Sequence, residues 1–98
     1  MTESQIEARL GQMVRRRGGL YYKFVSPGSP GVPDRLVILP GGRVIFLELK
    51  TQVGSLQKLQ RYRIAEMRGK GAEVRVVKGM AEAMAFVEEV LPDGISPP

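Results

Sequence analysis

The stretch Val32-Pro33-Asp34-Arg35-Leu36-Val37-Ile38-Leu39-Pro40-Gly41-Gly42-Arg43-Val44-Ile45-Phe46-Leu47-Glu48-Leu49-Lys50 organises the rest of the chain. Two apolar runs, Leu36 to Leu39 and Val44 to Leu47, flank Pro40-Gly41-Gly42, which predicts a β-hairpin. Asp34 stands at the outer end of the first strand, Glu48 and Lys50 at that of the second. Strand side chains alternate between faces, so Glu48 and Lys50 project from the same one. If Pro40 to Gly42 form a three-residue loop, Leu39 pairs with Arg43 and Asp34 falls opposite Glu48. Directly paired Cβ atoms lie roughly 4.5–5.5 Å apart, close enough for two carboxylates to share a cation. A two-residue loop would shift the pairing by one and weaken that geometry.

Two carboxylates at that separation repel by about 4 kcal/mol at an intermediate dielectric. Lys50 compensates them in part, a bound divalent metal more fully. With no histidine or cysteine in the chain, the available ligands are hard oxygens, which suit Mg²⁺ or Mn²⁺ and not zinc. The plainer alternative is a surface hairpin carrying an ordinary i,i+2 Glu–Lys pair.

The 98 residues predict one domain over residues 1–91, with 92–98 as a flexible C-terminal tail. The absence of cysteine and histidine excludes disulfides, thiolate metal sites, imidazole zinc sites and Ser-His or Cys-His nucleophiles. No apolar run approaches the ~20 residues of a membrane span and no signal-peptide pattern opens the chain, so a cytoplasmic protein without a membrane partner is expected. Residues 1–78 hold 15 Lys and Arg against six acids, net +9, whereas 79–98 hold four acids and no base, net −4. A basic body with an acidic end suggests a polyanion on one side, nucleic acid foremost. The alternative is a basic protein that is merely soluble.

Residues 2–17 read as a helix, with a capping box on either Ser4/Glu7 or Thr2/Gln5 and a buried stripe of Ile6, Leu10, Met13 and Val14. Gly18-Gly19 stops it. Arg15, Arg16 and Arg17 crowd its last turn, where they complement the helix dipole or contact phosphates. Glu7 either faces the sheet or is a surface or capping charge. Leu20 to Val25 makes the first strand, and Lys23 on it is a solvated side chain or a phosphate contact. Residues 26–33 contain three prolines and two glycines and form a loop; small residues such as Ser26 and Gly28 would admit a nucleic-acid backbone, or the loop is a plain connector. After the hairpin, Ser55 is expected to cap a second helix reaching about Lys70, with Leu56, Leu59 and Met67 on one face and Gln60 and Arg63 beside them. Gln60 would order the carboxylates or reach solvent. Glu73 to Lys78 is a fourth strand, and Met80 to about Val90 a last helix with Ala83, Met84, Phe86, Val87, Val90 and Leu91 as its apolar side. That helix would pack on the sheet or form a dimer contact. The order is α-β-β-β-α-β-α, an α/β fold with a mixed sheet flanked by helices.

A Pro-Asp followed by Glu-x-Lys at a strand end, within this element order, resembles the PD-(D/E)xK nuclease superfamily and its restriction-endonuclease-like fold. The match is closer to the VRR-NUC domain, in its small stand-alone, phage-type forms. It is carried from about Glu3 to Val77 by Gln5-Ile6-Glu7, Gly18-Gly19, Lys23 to Gly28, Gly31-Val32-Pro33-Asp34-Arg35, Gly41-Gly42-Arg43, Glu48-Leu49-Lys50 and Leu59-Gln60. Two departures stand out: Leu49 where valine is commoner, and Arg63 where histidine often stands.

The resemblance implies Mg²⁺- or Mn²⁺-dependent hydrolysis of DNA phosphodiesters. It maps the metal-binding acids onto Asp34, Glu48 and Glu7, with Glu3 competing for the last role, and adds the Leu49 backbone carbonyl. Lys50 and Gln60 take the family's lysine and glutamine positions. Lys23, Ser26, Gly28, Arg35 and Arg15 to Arg17 are the expected nucleic-acid contacts. Stand-alone members resemble Holliday-junction resolvases acting as homodimers on branched DNA, so a structure-specific endonuclease is expected. The alternatives are a nicking, flap or duplex nuclease, or a catalytically silent DNA-binding subunit of a replication or repair assembly.

Overall fold

The computed structural model describes residues 1–92; residues 93–98, most of the expected tail, lie outside the described residues. The elements are α1 (Glu3–Arg16), β1 (Leu20–Lys23), β2 (Arg35–Ile38), β3 (Val44–Lys50), α2 (Lys58–Gly69), β4 (Val74–Lys78) and α3 (Gly79–Val90). The expected order is therefore observed. One sheet runs β1-β2-β3-β4, with the first two pairings antiparallel and β3–β4 parallel. A parallel neighbour needs a crossover, and α2 supplies it.

The hairpin has the three-residue loop. The Leu39 N–H donates to the Arg43 carbonyl at 2.8 Å, and Gly41 and Gly42 take φ of 91° and 90°, a region that glycine enters without Cβ strain. The register Arg35↔Leu47 through Ile38↔Val44 extends by one rung to set Asp34 opposite Glu48. Beside it, the Phe24 N–H donates to the Asp34 carbonyl at 2.8 Å, so Asp34 is held by the β1 side as well.

Odd-numbered residues of β3 (Ile45, Leu47, Leu49) join Val37, Val77, Ile6, Leu10, Val14, Phe86, Val87 and Val90 in the core. That face is covered by α1 and α3. The even-numbered residues Phe46, Glu48 and Lys50 face α2. Over β1 and β2 this second face is open, leaving Leu20, Tyr22 and Val44 exposed. Among the described residues no helix is long and apolar enough to cross a membrane.

Several boundaries move from expectation. The α1 capping box is the Thr2/Gln5 one, and its stop is a Schellman turn: Gly19 N–H donates to the Val14 carbonyl and Gly18 N–H to that of Arg15. β1 ends at Lys23, not Val25. Ser55 does not cap α2, which starts three residues later; Gln57 is its N-cap and receives the Gln60 side chain on its own N–H. Its buried residue is Ile64, while Leu59 is 41 % exposed, because the helix turns Gln60 and Ile64 toward β3 and β4. The last helix lays its apolar side on α1 and β4, leaving Met84 exposed, so that side is not a free interface.

Candidate active site

Glu48 is the one buried charged residue among those described, at 6 % exposure. The β3 strand aims it at α2, where the Gln60 Nε2 donates to its Oε2 at 3.2 Å. Lys50, two residues on and on the same face, brings its Nζ to 3.6 Å from that oxygen. Burial pushes the Glu48 carboxyl up from the ordinary range; Lys50 pulls it down, and the charges of Asp34 and Glu3 push it up again. Gln60 is fixed at both ends of its amide, since its Oε1 accepts from the Gln57 N–H at 2.8 Å. That bond leaves only the amide nitrogen for Glu48. The sequence-expected trio of Glu48, Lys50 and Gln60 is thus assembled.

Around the edge of the sheet, on the α1 side, lies a polar cavity of about 120 Å³ lined by Glu3, Ser4, Glu7, Asp34, Arg35 and Leu49. Its lining sets three carboxylates against one guanidinium. Arg35 is turned inward: its Nη2 lies 2.5 Å from Glu7 Oε2, and its Nη1 donates to the Asp34 carbonyl at 2.9 Å and lies 3.5 Å from Asp34 Oδ2. Burial works against that charge, but Glu7 and Asp34 outweigh it and hold Arg35 more firmly protonated. Arg35, an expected nucleic-acid contact, thus has Glu7 and Asp34 at its guanidinium. Its Nε and the neighbouring Tyr21 hydroxyl are buried without hydrogen-bond partners, and burial raises the Tyr21 pKa well above its ordinary value.

Glu3 and Glu7 divide the roles that the sequence left open between them. Glu7 is tied to Arg35, whereas Glu3 contributes to the field at Glu48. Asp34 is 56 % exposed at the cavity mouth. Among the described residues no three acidic side chains converge tightly enough to enclose an ion as they stand. The donor chemistry nonetheless fits a hard divalent cation, since the lining has three carboxylates, no nitrogen or sulfur ligand, and an excess of two negative charges. A larger, mostly apolar cavity of about 230 Å³ lies at the far end of the hairpin, between Leu39, Pro40, Arg43, Val90, Leu91 and Pro92, and has no carboxylate in its lining.

The other expected contacts are spread out. Lys23 pairs with Arg35 at the same end of the sheet and is exposed, and Gly28 has open space around it at φ 82°. Ser26 accepts from the Ser29 N–H through its carbonyl. Arg15 to Arg17 lie two turns or more beyond Glu7, about 12–15 Å along the helix axis. Arg15 stacks over Tyr21 at 6.0 Å and Arg16 is exposed. Arg17 donates to the Leu91 carbonyl at 2.9 Å and pairs with Glu88 at 2.6 Å, so it ties α1 to α3 instead of facing the cavity. Ser4 and Tyr21 were not singled out for the site by their sequence positions. The alternation that pairs Tyr21 with Lys23 on one face was the available signal for the tyrosine.

No family model matches the chain. A solved structure described as a VRR_NUC domain superposes with a TM-score of 0.82 at 30 % identity, covering 90 % of this chain and 97 % of that one. The chain belongs to the VRR-NUC domain family. A second solved structure, a VRR_NUC domain protein, covers 100 % of this chain and 98 % of its own at TM-score 0.73 and 20 % identity, a likeness of fold. By sequence, 48 residues are 60 % identical to "Putative nuclease p44" of Acyrthosiphon pisum secondary endosymbiont phage 1, over 49 % of this chain and 52 % of that protein. The chain spans about half the length of that curated relative. In this VRR-NUC domain the Pro33-Asp34 and Glu48-Leu49-Lys50 motifs meet at the ends of the two central strands, with Asp34 opposite Glu48 one rung beyond the last paired residues.

Proposed function

We propose that this VRR-NUC domain is a divalent-metal-dependent DNA endonuclease acting on branched DNA as a homodimer. The observation that carries the reading is the cavity at the sheet edge: three carboxylates against one guanidinium, beside a buried Glu48 whose neighbours are Lys50 and Gln60. An excess of two negative charges in a polar cleft seeks a dication. The nuclease name of the phage relative supports the same class of chemistry.

Asp34, Glu48 and the Leu49 backbone carbonyl would hold Mg²⁺ or Mn²⁺, with the first-helix acid supplied by Glu3 while Glu7 stays with Arg35. When bound, the cation lowers the pKa of a coordinated water and stabilises charge on the phosphate oxygens. The reaction forms a bond from a water oxygen to phosphorus and breaks one bridging P–O bond. Lys50 neutralises the growing negative charge and orients the attacking water. Its ammonium lies 3.6 Å from the Glu48 carboxylate, a placement that suits this electrostatic role. Gln60, clamped by Gln57, keeps the Glu48 carboxylate in one orientation. One chain carries one site, and a two-fold dimer would present two sites to the two strands of a four-way junction.

The test compares the wild type with Glu48→Ala on labelled four-way junction, flap and linear duplex, each with Mg²⁺, Mn²⁺ or EDTA, alongside light scattering. Paired junction cuts that require metal and Glu48, from a dimer, are expected. Cutting of flap or duplex alone would retain the nuclease and discard the junction. Binding without metal-dependent cutting would overturn the enzyme and leave a DNA-binding module.

A further inference from the structure

We infer that Lys78 forms, with Lys50, a two-ammonium seat for a DNA backbone phosphate beside the one that is cut. The inference rests on the proposed DNA substrate and adds a binding residue to it. β3 and β4 pair in parallel with Lys50 opposite Lys78 and Glu48 opposite Val76. Paired residues on neighbouring strands share a face, and strands lie about 4.8 Å apart. Both lysines therefore leave the sheet on the Glu48 face, at the strand ends. Like charges placed directly opposite one another destabilise a sheet.

Nothing nearby removes that repulsion. Lys50 has Glu48 at 3.6 Å, but Lys78 forms no ion pair among the described residues. The carboxylate closest in sequence, Glu82, accepts at 2.9 Å from the Lys78 backbone N–H and leaves the ammonium alone. Nor is the pair free to drift apart. Lys78 is half-buried, and the next residue, Gly79, sits at φ 79° where an added Cβ would lie 3.2 Å from the Gln52 Cβ. The segment after β3 and the segment after β4 are thus clamped together. Glu48 is a partner for Lys50 alone, so the rung carries an ammonium in excess that an anion would neutralise. A phosphodiester, with two non-bridging oxygens, satisfies both ammoniums.

The experiment titrates labelled four-way junction in EDTA from 50 to 200 mM salt with wild type, Lys78→Gln, Lys78→Arg and Lys70→Gln. Lys70 follows α2 and is exposed, so its variant controls for the loss of one surface charge. One lost phosphate contact lowers the slope of log affinity against log salt by about 0.9. Lys78→Gln is expected to do so and to weaken binding roughly three- to ten-fold near 100 mM salt, Lys78→Arg to restore both, and Lys70→Gln to match wild type. With Mg²⁺, KM should rise for Lys78→Gln by a similar factor, whereas Lys50→Gln should act on kcat. Circular dichroism establishes that each variant is folded. Affinity and slope of Lys78→Gln equal to those of Lys70→Gln would overturn the inference. A loss of kcat at unchanged slope would also overturn it, placing Lys78 in the chemistry. A wild type that binds but does not cut refutes the nuclease and leaves the phosphate seat to stand on its binding data; one that binds no DNA refutes both.

Discussion

Replacing Glu48 by glutamine should abolish cleavage and make the protein more stable. The side chain is 8 % exposed, accepts from Gln60, and lies near Lys50. Burial, with Asp34 and Glu3 adding to it, pushes its carboxyl above the ordinary range in spite of Lys50. A raised folded-state pKa means that ionised Glu48 costs stability. That cost is absent below the unfolded-state value, about 4.3, and is fully present above the folded-state value. Glutamine has the same shape, can still accept from Gln60 and carries no charge. The gain at neutral pH without metal is expected at about 1 kcal/mol, typical of relieving a functional site, which in a domain of this size moves Tm by roughly 4–8 °C. Thermal and urea unfolding followed by circular dichroism in EDTA, at pH 7.5 and pH 4, measures it. The difference between variant and wild type should shrink at pH 4. Adding Mg²⁺ should raise the wild-type Tm through linkage to binding and leave the variant unmoved. A variant less stable than wild type at pH 7.5, by an amount that does not change at pH 4, would refute the reasoning.

Arg35→Met strips Glu7 of its partner; with Glu7 a third exposed, the loss should be about 2 kcal/mol, below the 3–5 of a fully buried pair. Combining it with Glu7→Gln in urea unfolding should cost less than the sum of the two single changes. Gln60→Ala removes one bond to the α2 N-cap and one to Glu48, costing about 1–2 kcal/mol; kcat should fall with it, and a kcat equal to wild type would exclude Gln60 from orienting the carboxylate. Gly31→Ala meets a backbone at φ 88° and places a Cβ 2.8 Å from Leu59 Cγ. It should destabilise by about 1–3 kcal/mol in the same assay, by loosening the loop from α2.

The hairpin was legible in sequence because a three-residue turn and strict alternation leave one register once two apolar faces are fixed, and Glu48, Lys50 and the Asp34 rung follow from it. Gln60 was legible from its place beside the helical stripe and from the resemblance, though its helix starts later than Ser55 suggests: the Gln60 side chain accepts from the Gln57 N–H, a cap that ordinary capping preferences do not anticipate. The partners of Arg35 were not legible. An arginine after an exposed aspartate looks like a substrate contact, and only the packing of α1 against β1 and β3 brings Glu7 across to claim it. The same holds for Arg17, whose partners, Glu88 and Leu91, lie more than seventy residues away in sequence.

The site straddles the sheet edge instead of lying on one face. Glu48, Lys50 and Gln60 belong to the α2 side, while Glu3, Glu7 and Arg35 belong to the α1 side. Asp34 and Leu49 connect them, since Asp34 opens β2 on the rung opposite Glu48 and Leu49 lines the cavity while following Glu48 in β3. A helix on either face alone would leave half the acids without support. This explains the charge arrangement in physical order. The buried half is the more costly to ionise and receives fixed partners, Gln60 and Lys50. The exposed half tolerates an excess of carboxylates because water screens it, and Arg35 restrains Glu7 closely and Asp34 more loosely.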